Sequence, residues 1–246
     1  MSCGVSGQAK VLRPKLKGYA KTLVDPLFLP RLKRDKRMLD RLERLSDLLP
    51  VLCRFRGRGT ILANQDPQEL GALCEELLER PPKVIVEIGT AKGGTLYLWT
   101  RISTPGSLVV SIDKPGETGS VGRTTLSLYR RFGRERGIQV CTIAGDSHSR
   151  KTHNRLQRIL GDRKVDFLFI DGDHSYEGVK ADFYGYQPYM APHGMVALHD
   201  IAIATRDPQI QVGRFWSQIQ DRKTIQSLIS RPGESPGIGL VFLDWF

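Results

Sequence analysis

Val84-Ile-Val-Glu-Ile-Gly-Thr-Ala-Lys-Gly-Gly-Thr95 decides the fold of this chain. Residues 84–88 form a short apolar run interrupted only by Glu87, as expected of a strand covered on both faces. Glycines then turn the chain into a helical pattern at 94–102. A strand that passes through such a turn into a helix is the way α/β proteins hold nucleotide-like ligands.

The same unit recurs downstream. Strands are predicted at 107–112, ending at Asp113, at 138–144, ending at Gly145-Asp146-Ser147, at 165–170, ending at Asp171, and at 195–198, ending at His199-Asp200. Helical patterns at 124–136, 149–162, 176–190 and 209–222 alternate with them. Two late strands, 224–229 and 238–243, flank Arg231-Pro-Gly-Glu-Ser-Pro-Gly237 and suggest a hairpin-type pair. The pattern predicts a doubly wound, mainly parallel seven-stranded α/β sheet with an antiparallel C-terminal strand.

Upstream, two domains are expected: a basic, partly helical extension at 1–60 and the α/β domain at 61–246. Met38, Leu42, Leu45, Leu49 and Leu52 recur at helical spacing and predict one amphipathic helix, kinked or ended by Pro50. That stripe suits an internal packing face or a seam between two copies of the chain. Asp66 is the expected N-cap of a helix running to about residue 80, with Glu69 at the capping-box position. Pro81-Pro82 stops that helix.

At 246 residues the chain has room for one well-buried α/β domain and an appendage. No apolar run approaches the roughly 20 residues needed to span a bilayer. The polar, basic start resembles no signal peptide, so the cytoplasm is the expected location and Cys3, Cys53, Cys74 and Cys141 are expected to be reduced. Of the net charge of +11, most sits early: residues 1–60 hold 15 basic against 5 acidic residues, and residues 61–246 hold 22 against 21. Such an arm can meet nucleic acid or an anionic membrane surface. A solvated arm packed on its own domain is favoured, because no aromatic or Gly-Arg pattern accompanies the charge.

Three ligands compete for the glycine turn. A triphosphate loop needs Lys and Ser/Thr after its second glycine, but Gly94 is followed by Thr95. A dinucleotide fingerprint needs glycine where Ala91 stands. What remains is Glu87-x-Gly89-x-x-x-Gly93, which resembles the first motif of class I S-adenosylmethionine-dependent methyltransferases. Asp113 stands where an acid can accept both ribose hydroxyls. The resemblance implies cofactor contacts at Glu87, Gly89, Thr90, Gly93, Gly94, Thr95, Asp113, Asp146, Ser147 and Asp171.

Asp171-Gly-Asp-His-Ser-Tyr-Glu-Gly178 and the later His199-Asp200 narrow the resemblance to the branch of cephalosporin-hydroxylase-like proteins and macrolide-sugar and rhamnosyl O-methyltransferases. It covers roughly residues 60–245. It implies Mg²⁺ at Asp171 and Asp200, with His199 where some relatives carry an acid, which makes Mn²⁺ an alternative. It also implies that His174 is the base that deprotonates the acceptor hydroxyl, beside Asp171. The expected activity is methyl transfer to a hydroxyl of a small molecule or glycoside by a chain that can self-associate. The alternatives are a nicotinamide-dependent oxidoreductase and a non-catalytic, nucleic-acid-associated protein that uses the same fold. His148, His153 and His193 are expected at the surface without a role. The glycine-rich connection 114–123 is a candidate lid.

Overall fold

The structure, a computed structural model, describes residues 28–53, 59–116, 122–202, 208–220 and 225–243. Its element order is α1 (Phe28–Asp40), α2 (Leu45–Leu52), α3 (Pro67–Glu79), β1 (Val84–Ile88), α4 (Gly94–Ile102), β2 (Leu108–Asp113), α5 (Arg123–Leu128), β3 (Gln139–Ala144), α6 (Arg150–Leu160), β4 (Val165–Ile170), α7 (Tyr176–Tyr186), β5 (Met190–His199), α8 (Val212–Ile219), β6 (Ile225–Leu228) and β7 (Ile238–Phe242). The seven strands form one sheet in the order β3-β2-β1-β4-β5-β7-β6. The first five are parallel, and β7 runs antiparallel to both β5 and β6.

Each face of the sheet is covered. Leu70, Leu73, Leu96, Trp99 and Tyr129 pack against Ile85, Val109 and Phe167 on one side. Leu156, Val179, Phe183, Phe215 and Trp216 pack against Val86, Val110 and Leu168 on the other. Burial on both faces explains why β1, β2 and β4 read as mainly apolar runs, each with one or two polar residues, rather than as alternations. The topology switches between β1 and β4, where successive connections leave in opposite directions. Ligands of open α/β sheets sit outside the carboxyl ends of the strands at that point.

The N-terminal leucines fold differently from expectation. The single helix over 38–52 is two helices, broken after Asp40, and α1 begins earlier, at Phe28. Pro50 sits inside α2, facing solvent, and the helix stops two residues later at Leu52. Leu39, Leu48, Leu49 and Leu52 are buried in the same apolar cluster as α3 and α4, while Met38 points outward at 49% exposure. The stripe is thus a packing face of the chain itself. Residues 1–27 of the basic arm lie outside the described residues.

Other boundaries shift for local reasons. The helix expected over 124–136 is α5 followed by two 3-10 turns, interrupted at Gly133, where a Cβ would stand 2.6 Å from Ile138. Strand β5 starts five residues before the expected 195, carrying a register irregularity against β4 near His193-Gly194. Asp66 caps α3 as expected, accepting from Gln68 N and Glu69 N. Glu69 does not close a capping box. Its buried carboxylate accepts from the backbone of Ser230 and Gly237, tying α3 to the β6–β7 connection.

Charge is uneven within the body as well. Residues 123–164, which flank the edge strand β3, hold 11 basic residues against 3 acidic ones. A cationic rim of this kind discourages another chain from pairing with the open edge. Cys53, Cys74 and Cys141 are free thiols, and burial pushes Cys53 and Cys74 up to about 12, which leaves them unreactive. Among the described residues no helix is long and apolar enough to cross a membrane.

Candidate active site

The carboxyl ends of β1, β2, β3, β4 and β5 open into a cavity of about 1360 Å³. Gly89, Asp113, Asp146, Ser147, Asp171, His174, His199 and Asp200 all line it. Sequence separations of up to 111 residues between Gly89 and Asp200 thus close into one site, because parallel strands deliver all their C-termini to one side. Glu87, Thr90, Gly93, Gly94 and Thr95 stand behind the wall rather than on it.

Thr90, Gly93 and Gly94 build the turn with Gly89, while Glu87 lies in β1 beneath it and Thr95 in the first turn of α4. A Cβ on Gly89, at φ +93°, would fall 1.9 Å from the Asp171 carbonyl oxygen. One on Gly93 would strike the Tyr129 ring at 2.8 Å, and one on Gly94 would strike Ala63 N at 2.1 Å. The glycines are therefore required by the close approach of neighbouring protein segments. Ala91 sits at φ +42°, a left-handed conformation that side chains seldom adopt. Thr90 is hydrogen-bonded to Ser111 through the two hydroxyls, and its backbone N–H donates to Asp113 Oδ1 at 3.3 Å.

Glu87 is fully buried beneath the turn. It accepts from Trp99 Nε1 at 3.0 Å and from Ser111 Oγ at 2.8 Å, pinning α4 and β2 to β1. Burial pushes its carboxyl up to about 7, against the hydrogen bonds from Thr95, Ser111 and Trp99 that favour the charged form. In the unfolded chain the group ionises near its ordinary 4.5. The contribution of Glu87 to native stability is therefore greatest below 4.5 and falls as pH rises from there to about 7. We expect urea midpoints of Glu87→Gln to be flatter than those of the wild type across this window. The wild-type loss is on the order of 3 kcal/mol.

The dense part of the site lies at the ends of β4 and β5. Asp171 Oδ1 faces His199 Nδ1 at 2.9 Å and His174 Nε2 at 3.3 Å. Asp171 Oδ2 accepts from Gln65 Nε2 at 2.7 Å. Asp200 faces both imidazoles, with Oδ2 3.5 Å from His174 Nε2 and Oδ1 3.3 Å from His199 Nδ1. Burial opposes ionisation of Asp171, but the His199 charge and the two imidazole hydrogen bonds outweigh it and hold the carboxyl well below the usual range. His174 is raised by its hydrogen bond to Asp171, against desolvation. Desolvation opposes the charge on His199 too, yet Asp171 and Asp200 raise it well above an ordinary imidazole.

Asp200 adopts φ +65°, the left-handed region. Strain of this kind concentrates at functional sites. The ligand-capable atoms of Asp171, His174 and Asp200 lie within 4.8 Å of one another. His174 thus stands in this group where His199 was expected, while His199 packs behind, its Nδ1 between the two carboxylates. Two carboxylates and one imidazole at that spacing fit a divalent cation with a mixed oxygen–nitrogen shell.

Two neighbours were missed from the sequence. Gln65 lies ahead of β1, outside any motif; only the polar run Asn64-Gln65-Asp66 before α3 marks the place. His148, expected at the surface, lines the cavity and stands 3.1 Å from the buried Asp182. His153 contacts Tyr189 at 3.1 Å. Residues 117–121 of the expected lid lie outside the described residues.

Comparison with known proteins agrees with this geometry. Residues 86–201, from within β1 to just past β5, match the family described as a methyltransferase domain. The O-methyltransferase of Bacillus cereus, solved with S-adenosylhomocysteine, superposes with a TM-score of 0.53 at 16% identity, covering 88% of this chain and 99% of that one. The O-methyltransferase TomG of Streptomyces achromogenes, involved in tomaymycin synthesis and solved with S-adenosylmethionine, gives 0.58 at 18% identity, covering 88% and 98%. An uncharacterized protein of Sinorhizobium fredii is 25% identical over 166 residues, 65% of this chain; the chain spans 17% of that relative's length. Over residues 86–201 the chain is thus similar to a methyltransferase domain, and its fold is that of the two solved O-methyltransferases.

Proposed function

We propose that the chain transfers the methyl group of S-adenosylmethionine to a hydroxyl of a small molecule or glycoside, assisted by a divalent cation. The observation that carries this reading is the meeting of Asp171, His174 and Asp200 on the wall of the cavity that Gly89, Asp113 and Asp146 also line. The cofactor would lie across the ends of β1, β2 and β3, with its ribose at Asp113 and its base near Asp146-Ser147.

A neutral sugar or alkyl hydroxyl is a poor nucleophile and must lose its proton as it attacks. His174, half-buried at the N-terminal side of α7, donates from Nε2 toward Asp171 and Asp200, which leaves its Nδ1 to take that proton, and the two carboxylates stabilise the imidazolium that results. Gln65 and His199 hold Asp171 in place. A divalent cation at Asp171, His174 and Asp200, Mg²⁺ or Mn²⁺, would supply Lewis acidity to the acceptor oxygen. A ligating His174 would leave the proton to a nearby carboxylate, so cation and base compete for one imidazole.

Labelled methyl transfer to a panel of glycosides and phenols tests the activity. Turnover should fall by about 10²–10⁴ in His174→Ala. If EDTA leaves turnover unchanged, the cation is not needed while methyl transfer stands. If no hydroxyl in the panel is methylated by a chain that binds the cofactor, the acceptor class is wrong.

A further inference from the structure

Helix α7 touches two parts of the cavity at once. Its N-terminus continues directly from the Asp171–Ser175 loop. Its body grips the loop 145–149, of which Gly145, Asp146, Ser147 and His148 line the same cavity. The grip has three contacts. Tyr186 Oη donates to the Ser147 carbonyl at 3.0 Å. His148 Nε2 lies 3.2 Å from the Gly178 carbonyl and 3.1 Å from Asp182 Oδ1.

Asp182 is the unusual member, fully buried on an apolar face beside Val179 and Phe183. Neither of its oxygens has a well-aligned hydrogen-bond donor among the described residues. The His148 imidazole is the cation beside it. The Nε2–H points more directly at the Gly178 carbonyl, so the pairing with Asp182 is mainly one of charge. A buried carboxylate is costly unless a positive group stands next to it.

The geometry points to His148 and Asp182 as a positioning pair that clamps the loop 145–149 to α7 and so sets the Asp146-Ser147 wall in register with Asp171 and His174. This rests on the reading above, in which that wall receives the base of the cofactor. The same pairing explains a polar residue inside α7 that packing alone would replace with an apolar one. It also makes one helix the ruler between the donor and acceptor ends of the site.

Other charged groups surround His148. Asp146 Oδ1 is 3.7 Å from its Nδ1, and Lys114 pairs with Asp146 Oδ2 at 3.2 Å. His153 of α6 also feels both His148 and Asp182. The Asp182 carboxylate dominates, pushing the His148 imidazole up to about 9, against desolvation. The charge is therefore present at neutral pH and lost as pH rises through about 9.

Calorimetry of S-adenosylhomocysteine binding to the full chain tests the clamp, using His148→Ala, His148→Gln, Asp182→Asn and the double variant His148→Ala/Asp182→Asn. His148→Ala should weaken binding about tenfold, and the double variant should bind no worse than His148→Ala. The wild-type advantage over His148→Ala should shrink toward one as pH rises through about 9. A purely structural loss would leave that ratio constant, and the variant also cancels titration of the ligand's own α-amino group. Should Asp182→Asn fail to fold, the two His148 variants carry the test from a partly exposed loop. Amide exchange of residues 145–149 should also speed up in His148→Ala with no ligand present. Wild-type affinity or unchanged exchange in folded His148→Ala overturns the clamp. A wild-type chain that ignores S-adenosylhomocysteine, while exchange still responds, overturns the cofactor reading instead.

Discussion

Asp200→Asn is expected to lower methyl transfer by about 10³-fold, roughly 4 kcal/mol of transition-state stabilisation, and to leave S-adenosylhomocysteine affinity within about threefold of the wild type. Asparagine is chosen because it tolerates the left-handed backbone at φ +65°, so the substitution removes charge with little change in conformation. In the wild type, Asp200 faces His174 at 3.5 Å and His199 at 3.3 Å. Without its charge two imidazoles share Asp171 alone, and the group that fits a cation loses a carboxylate. The proton taken by His174 then has one counter-charge rather than two. Asp200→Ala should lose at least as much activity, and some stability as well, since alanine resists that backbone conformation. Kinetics and calorimetry on the same preparation separate the two effects. If affinity falls in step with turnover, Asp200 serves the cofactor and the assignment of chemistry to the β5 end fails.

Gly89→Ala is expected to destabilise the fold by about 3 kcal/mol or more and to abolish binding of S-adenosylhomocysteine. Two costs add at this position. The backbone is at φ +93°, and the new Cβ would lie 1.9 Å from the Asp171 carbonyl oxygen and 3.0 Å from Gly172 N. Relief requires the ends of β1 and β4 to separate, and Asp171 N is bonded to the Ile88 carbonyl across that gap. Asp171 would move with the strand, taking the contacts to Gln65, His174 and His199 out of register. Gly106→Ala is the control. Gly106 also has positive φ, +88°, but nothing lies within 4 Å of its Cβ position, so only the backbone term of about 1 kcal/mol remains. Urea midpoints of the two variants should differ by the clash alone. Equal losses would show that the approach of Asp171 is not what requires glycine at 89.

The sheet was legible because its central strands are mainly apolar and stop at charged or turn-forming residues. Val84–Ile88 and Val165–Ile170 match the expected strands in both bounds, and Asp113, Asp171 and His199-Asp200 fall at strand ends as read. Periodicity served less well where tertiary packing chose between equals. The leucines at 38–52 keep helical spacing across the break after Asp40, so spacing alone gave one helix. Gly194 signalled a turn, but the sheet absorbs it as an irregularity within β5.

The site divides in the same way. Residues next to a strand end, such as Asp171 and Asp200, are placed by local sequence, and the wall receives them where the motif implies. Gln65 and Asp182 reach the site only through packing of α3 and α7 against the sheet, at separations of 106 residues from Asp171 and 34 from His148. Only a short polar run before α3 marks Gln65, and nothing local marks Asp182. His174 and His199 show the limit of reading types without directions. Both are imidazoles near the same carboxylates, and only the fold shows that His174 joins the ligand-capable group while His199 sits behind it.

Isothermal titration of S-adenosylhomocysteine into the folded chain tests the central claim most directly. The account predicts saturable binding at one site per chain, weakened strongly in Asp113→Ala and retained in Asp200→Asn. A folded chain that gives no heat of binding, or that binds equally well without the Asp113 carboxylate, would contradict it.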